Sequence, residues 1–207
     1  MTGYRNVNLK TLIQEIGEDD AKAILSNFSC PLNQDVEVFL RIKAINFAKQ
    51  GWAQTHLVFA SYKNEWQLVG YYTLADKHIT IKSVFYHRTS QTLRRRLNKF
   101  ANYDPTAKAH FLTAPLIAQL GKNYTNGYDK LITGDELLQE ACRKISKIQY
   151  DLGGRFAYVE CEDKPPLIDF YSRNGFVEFD RRNLDKDEVG LEGGYLVQLL
   201  KYIHSWK

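Results

Sequence analysis

Apolar residues recur at two spacings along this chain, and the points where one spacing gives way to the other divide it into elements. Leu9, Leu12, Ile13 and Ile16 share one helical face, Gly17 stops that turn, and a second short helix follows from Asp19 to Ser26. From Gln34 to Gln50, Val36, Phe39, Leu40, Ala44 beside Lys43, and Phe47 predict an amphipathic helix ended by Gly51. His56 to Tyr62 and Trp66 to Leu74 are rich in aromatic and β-branched residues and flank Lys63-Asn-Glu65, the pattern of an antiparallel hairpin. A shorter strand is expected at Ile79 to Val84, and a helix starting near Ser90.

The second half alternates strands with helices. A strand near His110 to Leu120 leads into a loop from Gly121 to Thr133. A helix then runs to about Leu152 with Leu137, Leu138, Ala141, Ile145 and Ile148 inward, and Gly153-Gly154 ends it. Arg155 to Glu162 reads as the next strand, and a strand, a crossover helix and another strand require a parallel, right-handed unit. A helix carrying Tyr171 follows, and strands at Phe176 to Arg181 and Tyr195 to Ile203, joined by a charged loop, finish the chain.

Composition narrows the class. With 207 residues, 44% hydrophobic and 25% charged, the chain is long enough for one large core, and a single domain over residues 1–207 is expected. The first ten residues lack the apolar core of a signal peptide and no apolar run approaches a bilayer span, so a cytoplasmic protein without membrane contact is expected. Cys30, Cys142 and Cys161 are too scattered for a disulfide framework or a zinc site, and Cys142 falls within the apolar stripe of its helix. His56, His78, His87, His110 and His204 show no metal or triad spacing, so no metal is expected, and no Gly-x-Ser-x-Gly elbow occurs.

The formal charge of +4 permits a phosphate-rich ligand, and its placement says more. Lys82, Arg88, Arg94, Arg95, Arg96, Lys99 and Lys108 gather in one stretch with Phe85, Tyr86, Phe100 and Tyr103. Such interleaving suits a nucleic-acid surface, and it equally suits a helix whose arginines stand in water.

Ala114 to Phe176 forms one chemical device: strand, loop, Gly134-Asp-Glu-Leu-Leu138 opening a helix, strand, then Tyr171-Ser-Arg-Asn-Gly-Phe176. Gly175 is placed as the left-handed stop of the tyrosine helix. This order resembles the core of the GCN5-related N-acetyltransferases (GNAT). Upstream, Phe28-Ser-Cys30, the helix with Phe39 and Leu40, and Gly70-Tyr-Tyr-Thr-Leu74 resemble the toxin-type branch of that superfamily. The family loop reads Gln/Arg-x-x-Gly-x-Gly/Ala, and here Asp129 and Ile132 depart from it while Gly134 fits. A segment at residues 1–27, read as a helical extension, and a basic insertion at about 82–108 lie outside the resemblance.

The resemblance implies an α/β (α+β) fold: a mixed, mostly antiparallel central sheet with a splayed parallel strand pair and flanking helices. It implies an N-acetyltransferase using acetyl-coenzyme A as co-substrate. Backbone N–H groups near Leu120 and Gly121 would polarise the thioester carbonyl. The diphosphate would rest on Leu131, Ile132, Thr133, Gly134 and Asp135 at the helix start, with charge from Lys122 and Lys130. Tyr171 would be the acid for the departing thiolate. Charged residues at a strand end such as Glu160 and Glu162 are ordinarily solvated, which leaves the base unassigned.

Three readings stay open on the sequence. The first acceptor is the α-amine of aminoacyl-tRNA, docked through Arg94, Arg95 and Arg96, with a small antitoxin as partner. The second is a small-molecule or protein amine. The third is a non-catalytic regulator that binds acyl-coenzyme A or RNA. The chain is expected to be a monomer or homodimer.

Overall fold

In a computed structural model of the chain, residues 3–184 and 193–203 are described. The elements are β1 (Arg5–Asn8), α1 (Leu9–Ile16), α2 (Glu18–Ser26), α3 (Gln34–Val38), α4 (Ala44–Gln50), β2 (Gln54–Tyr62) and β3 (Glu65–Lys82). There follow α5 (Ser83–Arg88), α6 (Gln91–Phe100), β4 (Asn102–Asp104), β5 (Ala109–Lys122), α7 (Gly134–Leu152), β6 (Phe156–Glu162), α8 (Pro165–Arg173), β7 (Val177–Asn183) and β8 (Tyr195–Tyr202). The strands lie in one mixed sheet ordered β1-β2-β3-β5-β6-β8-β7, with β4 paired to β5. The pairs β1–β2, β2–β3, β4–β5, β6–β8 and β7–β8 are antiparallel, whereas β5 and β6 run parallel, in register at Leu116 and Tyr158. This is the GNAT-like mixed fold that the element order implies.

By its internal contacts the chain forms two compact units, residues 1–75 with 117–143, and residues 76–116 with 144–207. In the first, Leu9, Leu25, Phe28, Leu40, Leu57 and Tyr71 are fully buried in one apolar cluster. The N-terminal segment is not wholly helical: before α1, residues 5–8 add an edge strand to β2, in register from Arg5 against Phe59 to Asn8 against His56. Four residues are too few to show a period, so the pattern of α1 hid them. The helix expected over residues 34–50 is present, but Phe39–Lys43 forms a π-helical turn between α3 and α4. Its extra residue rotates the buried face. Leu40, Ala44, Ile45 and Ala48 are therefore buried, while Lys43 and Ile42 face solvent.

Gly121 packs tightly in this unit. A Cβ there would meet Val36 Cγ1 at 2.3 Å and Phe28 and Tyr71 ring atoms at 3.4 Å, so only hydrogen fits. Gly121→Ala is expected to destabilise the protein by about 1–3 kcal/mol through overpacking, read from the shift of a urea unfolding midpoint.

In the second unit, Ile79, Ile81, Leu93, Leu97, Tyr158 and Phe179 share a buried cluster. The strand expected at residues 79–84 is not separate, because β3 continues unbroken to Lys82, with Ile79 and Ile81 buried and His78 and Thr80 exposed. Helix α6 starts where expected: the Ser90 hydroxyl caps the Leu93 amide at 3.2 Å, and Leu93 and Leu97, one turn apart, enter the core. The insertion's ends are tied together, since both the amide and the hydroxyl of Ser83 donate to the Lys108 carbonyl at 2.9 and 2.7 Å. Most of the charged loop between Asn183 and Gly194, and His204, lie outside the described residues.

Candidate active site

Within the first unit, β5 delivers Leu120, Gly121 and Lys122 to the start of the loop. The Lys122 ammonium donates to the Asp129 carbonyl at 2.9 Å and lies 5.7 Å from the Tyr124 ring centre, which ties the strand end to the turn before α7. That turn, Thr125–Leu131, is a 3-10 segment broken by left-handed Asn126 and Gly127. Buried Asn123 holds its base. Its amide group donates to the Leu68 carbonyl at 2.9 Å, and its oxygen accepts the Ser29 and Thr125 amides at 3.0 and 3.1 Å.

Leu131 is half-buried, Ile132 is extended and buried, and Thr133 caps α7. Thr133 and Glu136 form a reciprocal box: the Thr133 hydroxyl accepts the Glu136 amide at 3.1 Å, while the Glu136 carboxylate accepts the Thr133 amide and hydroxyl at 2.8 Å. The Thr133 amide bond is the main reason the Glu136 carboxyl sits below its ordinary value. Thr-x-x-Glu is a helix-start pattern, so this box was legible in the sequence, which directs attention instead to Asp135. Gly134 and Asp135, both half-buried, stand between the two members of the box.

The N-terminal segment braces this helix start. Tyr4 donates to the Leu131 carbonyl at 3.2 Å, and Asn6 donates to Glu140 at 2.7 Å. Burial first, then Glu136, pushes the Tyr4 phenol up to about 12, so it stays a donor at neutral pH. Nothing in local periodicity marks Tyr4, because its partner lies 127 residues away.

Tyr171 belongs to the second unit, on α8. The Phe176 amide returns to the Tyr171 carbonyl at 3.0 Å, Gly175 stops the helix with φ 81°, and the Phe176 ring packs edge-on to Tyr171 at 5.6 Å. Tyr171 is half-buried, and among the described residues no side chain hydrogen-bonds its hydroxyl. Burial, with Cys161 a lesser cause, pushes the phenol well above its ordinary range. Burial likewise pushes the Cys161 thiol up to about 12, which keeps it from serving as a thiolate nucleophile.

The two strand carboxylates are not simply solvated. Glu160 accepts two hydrogen bonds from Arg182 at 2.8 and 2.6 Å and one from the Tyr158 hydroxyl at 2.5 Å, with only 9% of its side chain exposed. Burial pushes its carboxyl up, but the Arg182 and Tyr158 bonds together hold it below its ordinary value. Glu162 pairs with Lys164 at 3.1 Å. Alternation puts Tyr158 and Glu160 on one face, and β7 supplies Arg182, a pairing that sequence spacing cannot show.

The arginine triplet divides. Arg95 is exposed, the Arg96 guanidinium lies over the Tyr202 ring at 4.2 Å, and the Arg94 Nε is buried without a hydrogen-bond partner among the described residues. Among the described residues, no three His, Cys, Asp or Glu side chains cluster as metal ligands, and no helix is long and apolar enough to cross a membrane.

No family model matches this chain, and no curated protein matches it. Solved structures do. The toxin AtaT complexed with acetyl-methionyl-tRNAfMet superposes with a TM-score of 0.58 at 16% identity, over 94% of each chain. A tyrosine-to-phenylalanine mutant of KacT gives 0.60 at 14% identity over 96% of this chain and 94% of the other. A mutant AtaT bound to acetyl-CoA and the C-terminus of its antitoxin AtaR gives 0.53 at 15% identity over 86% and 84%. With identities this low, the chain and these toxins are alike in fold.

Proposed function

We propose that this chain is an acetyl-coenzyme A-dependent N-acetyltransferase whose acceptor is the α-amine of an aminoacyl-tRNA. The observation that carries the reading is Tyr171: a half-buried phenol with a raised pKa, no side-chain partner among the described residues, and a helix stop that holds its backbone. A protonated phenol is what a departing thiolate needs. The order β5, α7, β6, α8 supports this reading, since it is the order of the N-acetyltransferases the sequence resembles.

The helix start fits a diphosphate in part. The box uses the amides of Thr133 and Glu136, and the Gly134 amide is not a member of it. Lys130 is exposed beside this turn, and Lys122 is anchored to it. The Glu136 carboxylate opposes an anion there, so the cradle rests on few donors. In the reaction the neutral amine nitrogen forms a bond to the acetyl carbon as the carbon–sulfur bond breaks, Tyr171 gives its proton to the sulfur, and the proton lost from the nitrogen passes through water to the phenolate and restores Tyr171.

For this acceptor no strong base is needed to convert an ammonium to the reactive neutral amine. Glu160 is committed to Arg182, and an α-amine with a pKa near 7.7 to 8.0 has a substantial neutral fraction just above neutrality, unlike a lysine amine near 10.4. AtaT is solved with an acetylated aminoacyl-tRNA and with an antitoxin, which supports the same substrate class and a small antitoxin partner here. One observation favours a small-molecule amine instead: Arg94 and Arg96 are packed against the fold rather than both presented to a polyanion.

Incubating the protein with labelled acetyl-CoA and charged or uncharged tRNA tests the reading. Label is expected in charged tRNA alone, and label only in small amines would move the assignment to the second class. Gly134→Trp is expected to abolish acetyl-CoA binding in a folded protein, measured by calorimetry. Unchanged affinity would remove the helix start from the site.

A further inference from the structure

The basic insertion carries more than charge. Ser83, Tyr86, His87, Asn98, Tyr103 and His110 line a cavity of about 380 Å³ in the second unit. His110, buried to 5% exposure, stacks on Tyr86 at 4.4 Å with an interplanar angle of 16°, and Tyr103 lies 4.9 Å from it on β4. The cavity wall is thus a run of aromatic faces, with Tyr103 left 53% exposed at its edge.

Polar groups are set into that wall with fixed orientation. The Asn98 carbonyl oxygen accepts the Tyr86 hydroxyl at 2.8 Å and lies 3.3 Å from His110 Nε2. Burial lowers the His110 pKa, so the ring is neutral; with Nε2–H donating to Asn98, its Nδ1 is an acceptor, and that atom is buried without a partner among the described residues. Turning its oxygen inward leaves Asn98, an exposed residue, with its amide N–H₂ outward. Exposed Arg88, Arg95 and Lys99 belong to the same stretch.

Flat aromatic faces, one oriented amide at the edge and cations close in sequence match the chemistry of a nucleobase on a phosphate backbone, for which stacking supplies the affinity. We propose that this cavity is a binding site for one unpaired nucleobase of single-stranded RNA, with Tyr103 as its stacking face and Asn98 as its edge donor. The inference rests on the nucleic-acid part of the function proposed above. It also gives the insertion a task that does not depend on Arg94 and Arg96, which pack against the fold. An acidic peptide would be drawn by the cations but would gain little from the aromatic wall.

The test is a titration of the full-length protein with fluorescently labelled single-stranded oligoribonucleotides at several salt concentrations. Tyr103→Ala is expected to weaken binding roughly five- to hundredfold at every salt concentration, leaving the slope against log salt unchanged, because a stack and no phosphate contact is lost. Tyr103→Phe keeps the ring and should bind as wild type. Photocrosslinking of a 5-bromouridine oligonucleotide to wild-type protein, which needs no variant, should label the peptides holding Tyr86 or Tyr103. Equal binding by Tyr103→Ala, crosslinks confined to other peptides, or competition by an acidic peptide with no RNA binding would each overturn the site. If oligonucleotide binding behaves as expected but charged tRNA is not acetylated, the substrate reading fails and the base site stands. If charged tRNA is acetylated while Tyr103→Ala binds RNA normally, the base site fails alone.

Discussion

Tyr171→Phe is expected to lower kcat by about 100-fold or more while acetyl-CoA affinity stays close to wild type. Phenylalanine keeps the ring that packs against Phe176, so the helix and its stop at Gly175 survive. What disappears is the proton for the leaving sulfur, an interaction made only as the bond breaks, and such a loss falls on kcat. Single-turnover measurements, with chemistry shown to limit the rate, check this. The raised phenol pKa adds a second expectation: kcat should show no alkaline decline due to Tyr171 below the ordinary phenol value near 10. An unaltered rate for Tyr171→Phe would take the residue out of the mechanism.

Arg182→Ala is expected to cost about 3–5 kcal/mol of stability, because it strips a buried carboxylate of its two arginine hydrogen bonds and leaves, among the described residues, the neutral Tyr158 hydroxyl and the Lys77 cation at 4.0 Å. Replacing both partners, Glu160→Leu with Arg182→Leu, should cost much less, since no uncompensated charge remains. The pH dependence follows from the direction of the Glu160 shift. In wild type the folded carboxyl lies below its ordinary 4.5, so the pair stabilises fully above that value and the contribution is lost as pH falls through the folded value. Without Arg182, burial pushes the carboxyl up instead. The deficit of Arg182→Ala should then be largest at neutral pH and narrow on acidification as Glu160 takes up a proton. Urea unfolding of wild type and variant at neutral and acidic pH measures both effects, and a deficit independent of pH would show that the arginine acts through packing alone.

The elements were legible wherever a period ran long enough to repeat. Helix α7, strand β6 and the basic helix from Ser90 match their patterns closely, since each buries one face and shows it in spacing. Strand β1 is too short for that. The π-helical turn at Phe39–Lys43 was hidden because a single extra residue shifts the buried face without breaking the apolar rhythm, so Lys43 seemed to border a buried stripe that in fact passes through Ile45 and Ala48. Strand β3 appeared as two because Asp76 and Lys77 interrupt its apolar run, yet its alternation carries through to Ile81.

By itself, the sequence determined the order of the long strands and helices, the parallel pairing of β5 with β6, the left-handed stop at Gly175 and the tyrosine before it. These depend on local backbone preference and on which face of each element repels water, and both are written in neighbouring residues. Tertiary structure alone decided which polar groups meet: Tyr4 on the Leu131 carbonyl, Asn123 beneath the turn, Arg182 on Glu160 and Asn98 locked between Tyr86 and His110. A buried polar group is stable only with a partner of the right geometry, and that partner can come from any element the fold brings within about 3 Å. Spacing along the chain carries no record of such meetings.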